Sequence, residues 1–281
     1  MTLTNDKNFP QLQYLTADNI NSAEVSAIFT TRNGGVSGTT PETAHFHSLN
    51  LQLNSEKDAC SNIAENYRIA AVSQGFTADD VVCVSQKHTD KVIAIDEASA
   101  KIRPQDKIEE ADAVITNIKG VLLSVRVADC VPILLYDGEN GAIGAVHAGW
   151  RGTFMQIGAK TVRRMNELYG TNPAGIRAAI GAAIGVCCYE IGMDLYERFY
   201  KEYGESVDEF FQTKQGENPY FNLKAINKSF LIKAGVPEKN IEVSELCTKC
   251  NPELFYSHRR SGEKRGLMAA FIGMKESFGE I

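Results

Sequence analysis

Between Val121 and Gly152 the chain reads VLLSVRVADCVPILLYDGENGAIGAVHAGWRG. Three strand-like apolar runs, 121–127, 131–136 and 141–147, follow one another with only short breaks. Runs of this length bounded by turn residues read as strands. The first break is Ala128-Asp129-Cys130, and Pro132 comes just after it. Proline has no N–H to give a central ladder, so the strand is expected to stop or bulge there. An acid and a thiol then project from the end of a sheet. The short stretch 137–141 suits a hairpin loop, which sets the last two runs side by side and lets Cys130 face His147. His147 is followed by Ala148-Gly149-Trp150-Arg151-Gly152 and a helical stretch. That order puts an imidazole at a sheet edge near the free N–H groups of a helix start, which suit an anion, and Arg151 adds positive charge. The same residues also fit an inert buried thiol beside a turn aspartate, with glycines that only shape a tight turn.

The rest of the chain reads as mixed α and β. Strands are expected at 24–30, 81–85, 91–95, 112–116, 175–181, 241–245 and 266–273. Helices are expected at 58–74, 151–168 with Gly170 as its stop, 193–203 and 222–234. Most strands come early and most helices late, which points to an α+β fold rather than a regular βαβ alternation. A chain of 281 residues fits one large domain or two small ones. No linker, repeat or heptad run divides it, so one domain over 1–281 is expected, with polar residues 1–20 as a loosely held arm.

Charge and cysteine usage narrow the function classes. With 29 basic and 35 acidic side chains, the balance argues against a protein held by nucleic-acid phosphates. The longest apolar stretch, 121–136, carries Ser124, Arg126, Asp129 and Cys130, too polar and too short to span a bilayer. The first residues lack a charged-then-apolar leader pattern, so the expected location is cytoplasmic. Seven cysteines, an odd number, read as free thiols or metal ligands rather than a disulfide framework.

There are five histidines: His45, His47, His88, His147 and His258. His88 lies between two expected strands, so His88, Cys130 and His147 form a candidate His₂Cys set, a common open zinc site. Cys247-Thr248-Lys249-Cys250 finds only the adjacent pair Cys187-Cys188 as a second half. Neighbouring cysteines rarely ligate one zinc, so no structural zinc is expected there. His45-Phe46-His47, if extended, puts two imidazoles on one face, an arrangement for copper or simply a solvated loop. Arg32, Arg68, Arg259 and Arg260 are candidates for anion binding. Arg32 is favoured, because Gly34 and Gly35 beside it let a ligand approach the backbone.

Several words of the sequence together carry a family resemblance. They are Thr31-Arg32-Asn33-Gly34-Gly35-Val36-Ser37, Ser48-Leu49-Asn50-Leu51, Asn66-Tyr67-Arg68, Gln86-Lys87-His88, Ala111-Asp112-Ala113, Ala128-Asp129-Cys130-Val131-Pro132, His147-Ala148-Gly149-Trp150-Arg151-Gly152 and Ile180-Gly181-Ala182-Ala183-Ile184-Gly185. In this order the chain resembles the YfiH-like family, whose members are described as laccase-domain or polyphenol oxidase proteins, purine nucleoside phosphorylases and peptidoglycan editing factors. The resemblance implies a single α+β domain with a central mixed β-sheet sandwich flanked by helices. It implies zinc on His88, Cys130 and His147, with phosphorolysis of adenosine, inosine and methylthioadenosine and deamination of adenosine. The chain departs from the family at Thr89, where glycine is usual. It departs again in Tyr256-Ser257-His258-Arg259-Arg260, where Phe-Ser-Tyr-Arg-Arg is usual.

On this reading Cys130 and His147 are catalytic through the metal and Asp129 is a candidate proton shuttle. Arg32, Asn50 and Arg151 are candidates for substrate binding. The partners are a purine nucleoside and phosphate, not nucleic acid or a membrane, and no feature specifies an oligomeric state. Three rivals stand beside it. A laccase needs several His-x-His pairs, and one such pair among five histidines rules out a full multicopper site in one chain. A single copper ion remains open, since copper binds such sites tightly. A metal-free hydrolase would use Cys130 as nucleophile and His147 as base, and would suit editing of a mis-made peptidoglycan precursor. A non-catalytic binding protein would hold zinc structurally, but only three ligands leave an open position, which argues against it.

Overall fold

The computed structural model describes residues 1–53, 58–101, 108–213 and 217–276. In chain order the strands begin with β1 (Thr2–Asn5), β2 (Gln13–Thr16), β3 (Val25–Thr30), β4 (Val81–Ser85) and β5 (Val92–Ala94). There follow β6 (Ile108–Glu110), β7 (Ala113–Thr116), β8 (Leu122–Val127), β9 (Val131–Asp137) and β10 (Ala142–Ala148). The last are β11 (Arg177–Ile180), β12 (Phe211–Gln212), β13 (Tyr220–Phe221), β14 (Ile241–Val243) and β15 (Met268–Met274). The α-helices are α1 (Cys60–Val72), α2 (Trp150–Phe154), α3 (Ile157–Tyr169), α4 (Met193–Tyr203), α5 (Leu223–Lys233) and α6 (His258–Ser261).

Two mixed sheets hold most of the strands. The first is seven-stranded, in the order β1-β2-β3-β15-β8-β4-β6, and the second six-stranded, in the order β14-β11-β9-β10-β7-β5. Alternation along the strands explains why they stack. Val82, Val84, Leu123 and Val125 of the first sheet share one buried cluster with Leu134, Ile143 and Ala145 of the second. Their neighbours point the other way: Val81, Cys83 and Leu122 pack against Ile63, Tyr67 and Ala70 of α1. On the far face of the second sheet, Ile133, Leu135 and Val146 pack against Val162, Phe199 and Phe230 of α3, α4 and α5. Both faces of the central strands are covered, so those strands are continuous apolar runs. The fold is α+β, a sandwich of mixed sheets flanked by helices.

The two runs at the Ala128-Asp129-Cys130 break belong to different sheets, β8 to the first and β9 to the second. The break is therefore a crossover between layers. Pro132 does not end a strand; it sits second in β9, where its carbonyl accepts from Gly181 N at 3.0 Å. The ladder to β11 starts only at Ile133, so no partner there needs the missing N–H. β9 and β10 pair antiparallel with His147 opposite Pro132, which brings Cys130 and His147 to the same end of the sheet.

Two expectations need correction. Residues 1–20 are not a loose arm: β1 and β2 form an edge hairpin on β3. Leu12, Leu15, Ala17 and Ile20 are buried, and the amino terminus pairs with Glu242 and Asp18. The polar composition reflects an edge whose outer face is wet. The helix expected over 151–168 is broken. Gln156 adopts a left-handed φ of 57° and turns the axis between α2 and α3. Phe154 then meets Phe199 of α4 edge-on at 5.1 Å, while Ile157, Val162 and Met165 stay on the sheet. Among the described residues no helix is long and apolar enough to cross a membrane.

Leu15 stands opposite Phe29 in the β2–β3 ladder and is 2% exposed. Leu15→Ala should cost about 2–5 kcal/mol in urea unfolding, as for other buried leucines. A change within about 0.5 kcal/mol, the usual surface value, would restore the loose-arm reading.

Candidate metal centre and cleft

The site forms where three segments meet at one end of the second sheet. Cys130 comes from the crossover, His147 from the end of β10, and His88 from the loop between β4 and β5. Their ligand atoms, one thiol sulfur and two imidazole nitrogens, lie within 4.8 Å of one another. Cys130 Sγ is 3.8 Å from His88 Nε2, and the two imidazoles stand edge to face at 4.8 Å. Gly149 is required by this approach: a Cβ there would lie 2.8 Å from the His88 ring and 3.1 Å from Cys130 Sγ.

Asp112, at the head of β7, holds the two histidines in place. Its Oδ1 lies 2.8 Å from His147 Nδ1, which leaves Nε2 of His147 free to face Cys130. The same carboxylate accepts from the backbone N–H groups of Lys87, His88 and Thr89 at 3.1, 3.0 and 2.6 Å. The Thr89 hydroxyl adds a bond of 2.8 Å. His88 itself sits at a φ of 60°, a left-handed conformation that costs a non-glycine residue about 1–3 kcal/mol. The cluster of N–H groups on Asp112 offsets that cost.

Electrostatics follow from this geometry. Burial pushes the Asp112 carboxyl up, but the bonds from His147 and Thr89 outweigh it and hold it well below the usual range. Burial also pushes the Cys130 thiol up; the facing imidazoles of His147 and His88 overcome this and lower it to about 6. Burial works against charge on His147, yet Cys130 and Asp112 raise it to about 9. Without metal, Cys130 and His147 therefore form a thiolate–imidazolium pair near neutral pH. Two imidazoles and one ionised thiol, with a carboxylate behind one imidazole, are a donor set that can hold a metal ion.

The set opens into a cleft of about 630 Å³. Trp150, Arg151, Tyr189, Arg259 and Arg265 line it together with Arg126. Arg151 lies 4.3 Å over the Trp150 ring, and Arg259 lies 5.2 Å over Tyr189 while donating to Glu190 O. Arg126 Nη1 and Arg265 Nε are buried with no hydrogen-bond partner among the described residues. Donors of this kind are suited to an anion entering the cleft.

Of the residues expected from sequence, His88, Cys130, His147, Arg151 and Arg259 come together here; Arg32, Asn50, Asp129, Arg68 and Arg260 are held in other contacts. Arg32 is held elsewhere: its Nε donates to His47 O at 2.8 Å, an Nη donates to Pro252 O at 3.1 Å, and its guanidinium lies 4.6 Å over Tyr256. Asn50 is buried, donating to Asp58 and accepting from Gln52 N and Leu267 N. With Ser48 and Asn66 these residues form a knot of hydrogen bonds behind the cleft wall. The glycines beside Arg32 fit that knot, since a Cβ on Gly35 would meet Asn66 Oδ1 and Ser48 O at 2.4 Å.

The carboxylate of Asp129 is occupied too. It accepts from Thr248 Oγ1 at 2.5 Å, Ser257 Oγ at 3.0 Å and Arg259 N at 2.6 Å, so it fastens the crossover to the late loops. Arg68 pairs with Glu65 on the surface, and Arg260 donates to the carbonyls of Thr248, Lys249 and Phe255. His45 stacks on Phe46 in a 3₁₀ turn, so the His-x-His segment is not extended. The helix after His147, α2, is only 5 residues long, shorter than the helix expected over 151–168. The residues missed are Asp112, Tyr189, Arg126 and Arg265. Only Asp112 carried a signal, an acid at the head of an apolar strand.

Residues 26–275 match the family described as multi-copper polyphenol oxidoreductase laccase. The chain belongs to that laccase-domain family, which the sequence words had suggested. It is 36% identical over 263 residues to purine nucleoside phosphorylase YlmD of Bacillus subtilis, covering 92% of each chain. It is 34% identical over 199 residues to adenosine deaminase RL5 from an unknown prokaryotic organism, covering 70% of this chain and 76% of that one. The crystal structure of YlmD from Geobacillus stearothermophilus superposes with a TM-score of 0.85 at 32% identity, over 95% of this chain and 97% of the other.

Asp112→Asn should lower metal affinity about 10–100-fold, the usual effect of losing a carboxylate behind a ligating histidine, read by competition with a chelator. An unchanged affinity would remove Asp112 from the site. The pH dependence has a defined sign. Between about 6 and about 9 the metal-free pair has lost the Cys130 proton but keeps the His147 proton. Binding a metal ion must then release about one proton, so apparent affinity should rise about tenfold per pH unit in that window and level off above it. Calorimetry in buffers of different ionisation enthalpy reads the proton directly; no proton release would contradict the pair.

Proposed function

We propose that this chain is a zinc-dependent purine nucleoside enzyme, converting adenosine and phosphate to adenine and ribose 1-phosphate, and adenosine and water to inosine and ammonia. Inosine and methylthioadenosine are further substrates of the phosphorolytic reaction. The observation that carries the reading is the His88, Cys130 and His147 set opening into an arginine-lined cleft large enough for a nucleoside. The names of the similar proteins agree with it.

The donor set fits zinc: a thiolate and two imidazoles are borderline-soft ligands, and three of them leave a position open. Zinc there supplies Lewis acidity and lowers the pKa of water toward neutrality. The chain's own groups do the rest. Asp112 fixes the tautomer of His147 and keeps its Nε2 aimed at the centre. Trp150 and Tyr189 offer aromatic faces to a flat base. Arg126, Arg151 and Arg265 offer donors to phosphate and, through charge, favour the anionic nucleophile near the ribose. A copper-laccase reading finds less support in the donor set. Five histidines, of which two join the only mixed cluster among the described residues, serve one ion rather than a multicopper group.

Purified protein given adenosine with phosphate should yield adenine, and with water alone inosine, as resolved by chromatography. Cys130→Ala and His147→Ala should lose both reactions together, by about 100-fold or more for a group acting at the reacting centre. Arg265→Ala should raise the KM for phosphate and leave deamination in water nearly intact. Absence of nucleoside turnover in metal-replete, folded protein would overturn the reading, and oxygen uptake with a phenol by copper-loaded protein would favour the oxidase.

A further inference from the structure

Two segments far apart in sequence, holding Cys187-Cys188 and Cys247–Cys250, meet beyond Asp129. Cys187 and Cys188 lie in the turn after β11, where Cys188 N and Tyr189 N both donate to Gly185 O at 2.9 and 3.0 Å. Cys247 and Cys250 lie in the loop after β14, tied to the first segment by a parallel bridge between Ala183 and Cys247. The four sulfurs lie within 4.8 Å of one another. Cys250 Sγ is 3.6 Å from Cys187 Sγ and 3.4 Å from Cys188 Sγ.

We propose that Cys187, Cys188, Cys247 and Cys250 form a second metal site, a structural zinc centre separate from the His88, Cys130 and His147 set. Four thiolates around a tetrahedral zinc, each at about 2.3 Å, lie about 3.8 Å from one another, close to the separations seen here. A four-iron cluster interposes metal and sulfide and spreads the thiolates wider. A disulfide fits poorly: Cys250 faces two partners equally, so pairing with either strands the other, whereas one ion satisfies all four.

Backbone and glycine contacts close around the sulfurs. Gly185 N donates to Cys247 Sγ at 3.2 Å, and a Cβ on Gly185 would crowd Cys187 Sγ at 3.1 Å and Cys247 Cβ at 3.2 Å. Lys224 lies behind, buried and donating to Ser244 O and Leu246 O, and its charge acts on Cys247 and Cys187. The turn makes the unusual adjacent pair workable, because the chain curves around the site and both sulfurs reach Cys250. Expectation from spacing alone excluded this zinc, since the turn geometry is not legible in the sequence.

The ion's role is to brace the cleft. Thr248, inside the Cys247–Cys250 loop, donates to Asp129, the residue before Cys130. Tyr189, next to Cys188, lines the cleft. Zinc on the quartet fixes both.

Metal content tests the proposal independently of nucleoside turnover. Wild-type full-length protein should hold two zinc equivalents per chain by elemental analysis. Cys250→Ser and Cys130→Ala should each hold one, and the double variant none. Cobalt-loaded Cys130→Ala should show tetrahedral d–d bands and intense sulfur-to-cobalt charge transfer from the quartet alone. If Cys250→Ser does not fold, the wild type still decides the question. Titration with a mercurial should release a second zinc only as four further thiols react. One zinc equivalent in the wild type, an unchanged content in folded Cys250→Ser, or a disulfide between any two of the four by mass spectrometry would overturn it.

Discussion

The carboxylate of Asp112 is the interaction on which the site depends. It is fully buried and gathers groups from two segments far apart in sequence: the His88 loop through three backbone N–H groups, and His147 through its ring. Backbone pairing repeats the link, as His147 N donates to Asp112 O at 2.7 Å. A buried carboxylate is tolerable only when nearly every lone pair is satisfied. Satisfying it forces the loop 87–89 into a cup around the oxygen atoms, and that cup carries His88 into a left-handed conformation. The second imidazole is thus aimed by the first one's partner. Removing this charge would disturb both ligands at once, which the loss of a peripheral hydrogen bond would not do.

The same economy holds at the crossover. Asp129 has a φ of 90°, and its carboxylate meets three donors from the late part of the chain. Its neighbour Cys130 leaves the first sheet and enters the second within a few residues. A thiol placed on such a turn has no ladder of its own to hold it. The Asp129 anchor on one side and the β9–β10 register on the other take that part. Sheet stacking therefore does more than bury apolar area: the edge where the chain changes sheets is the one place where Cys130, His147 and His88 can meet.

Much of this was legible in the sequence, for identifiable reasons. Runs at 81–85, 121–127, 131–136 and 141–147 read correctly as strands because both faces of the central strands are covered and the apolar runs are unbroken. Cys130 and His147 were placed together by hairpin spacing, and His88 by the family words. What sequence missed depends on contacts between distant segments. Arg32, Asn50 and Asn66 stand in motif-like words, and their hydrogen bonds tie the loops behind the cleft wall together. Arg126 and Arg265 stand in no word, yet among the described residues a buried donor of each has no hydrogen-bond partner beside the cleft. Residues 1–20 read as an arm because an edge hairpin needs few apolar residues. The cysteine quartet was hidden by a rule about adjacent cysteines that a tight turn sets aside.

The departures from the usual family pattern separate in the same physical way. Thr89, in place of glycine, gives Asp112 an extra hydroxyl donor and so strengthens the cup that holds His88. Tyr256 is buried, and its hydroxyl donates to Phe46 O; it stiffens the knot behind the wall and faces away from the cleft. His258 alone among these positions lines the cleft, next to Arg259 in sequence and 3.7 Å from Glu263. The candidate ligands His88, Cys130 and His147 and their carboxylate are set at the end of the second sheet, whereas the wall that His258 joins is set by late loops pinned through Asp129. Changes in the wall can therefore alter which molecule enters without moving the ligands. On that division of labour, His258 belongs to the wall of the cleft, while Thr89 and Tyr256 affect how rigidly the site is held.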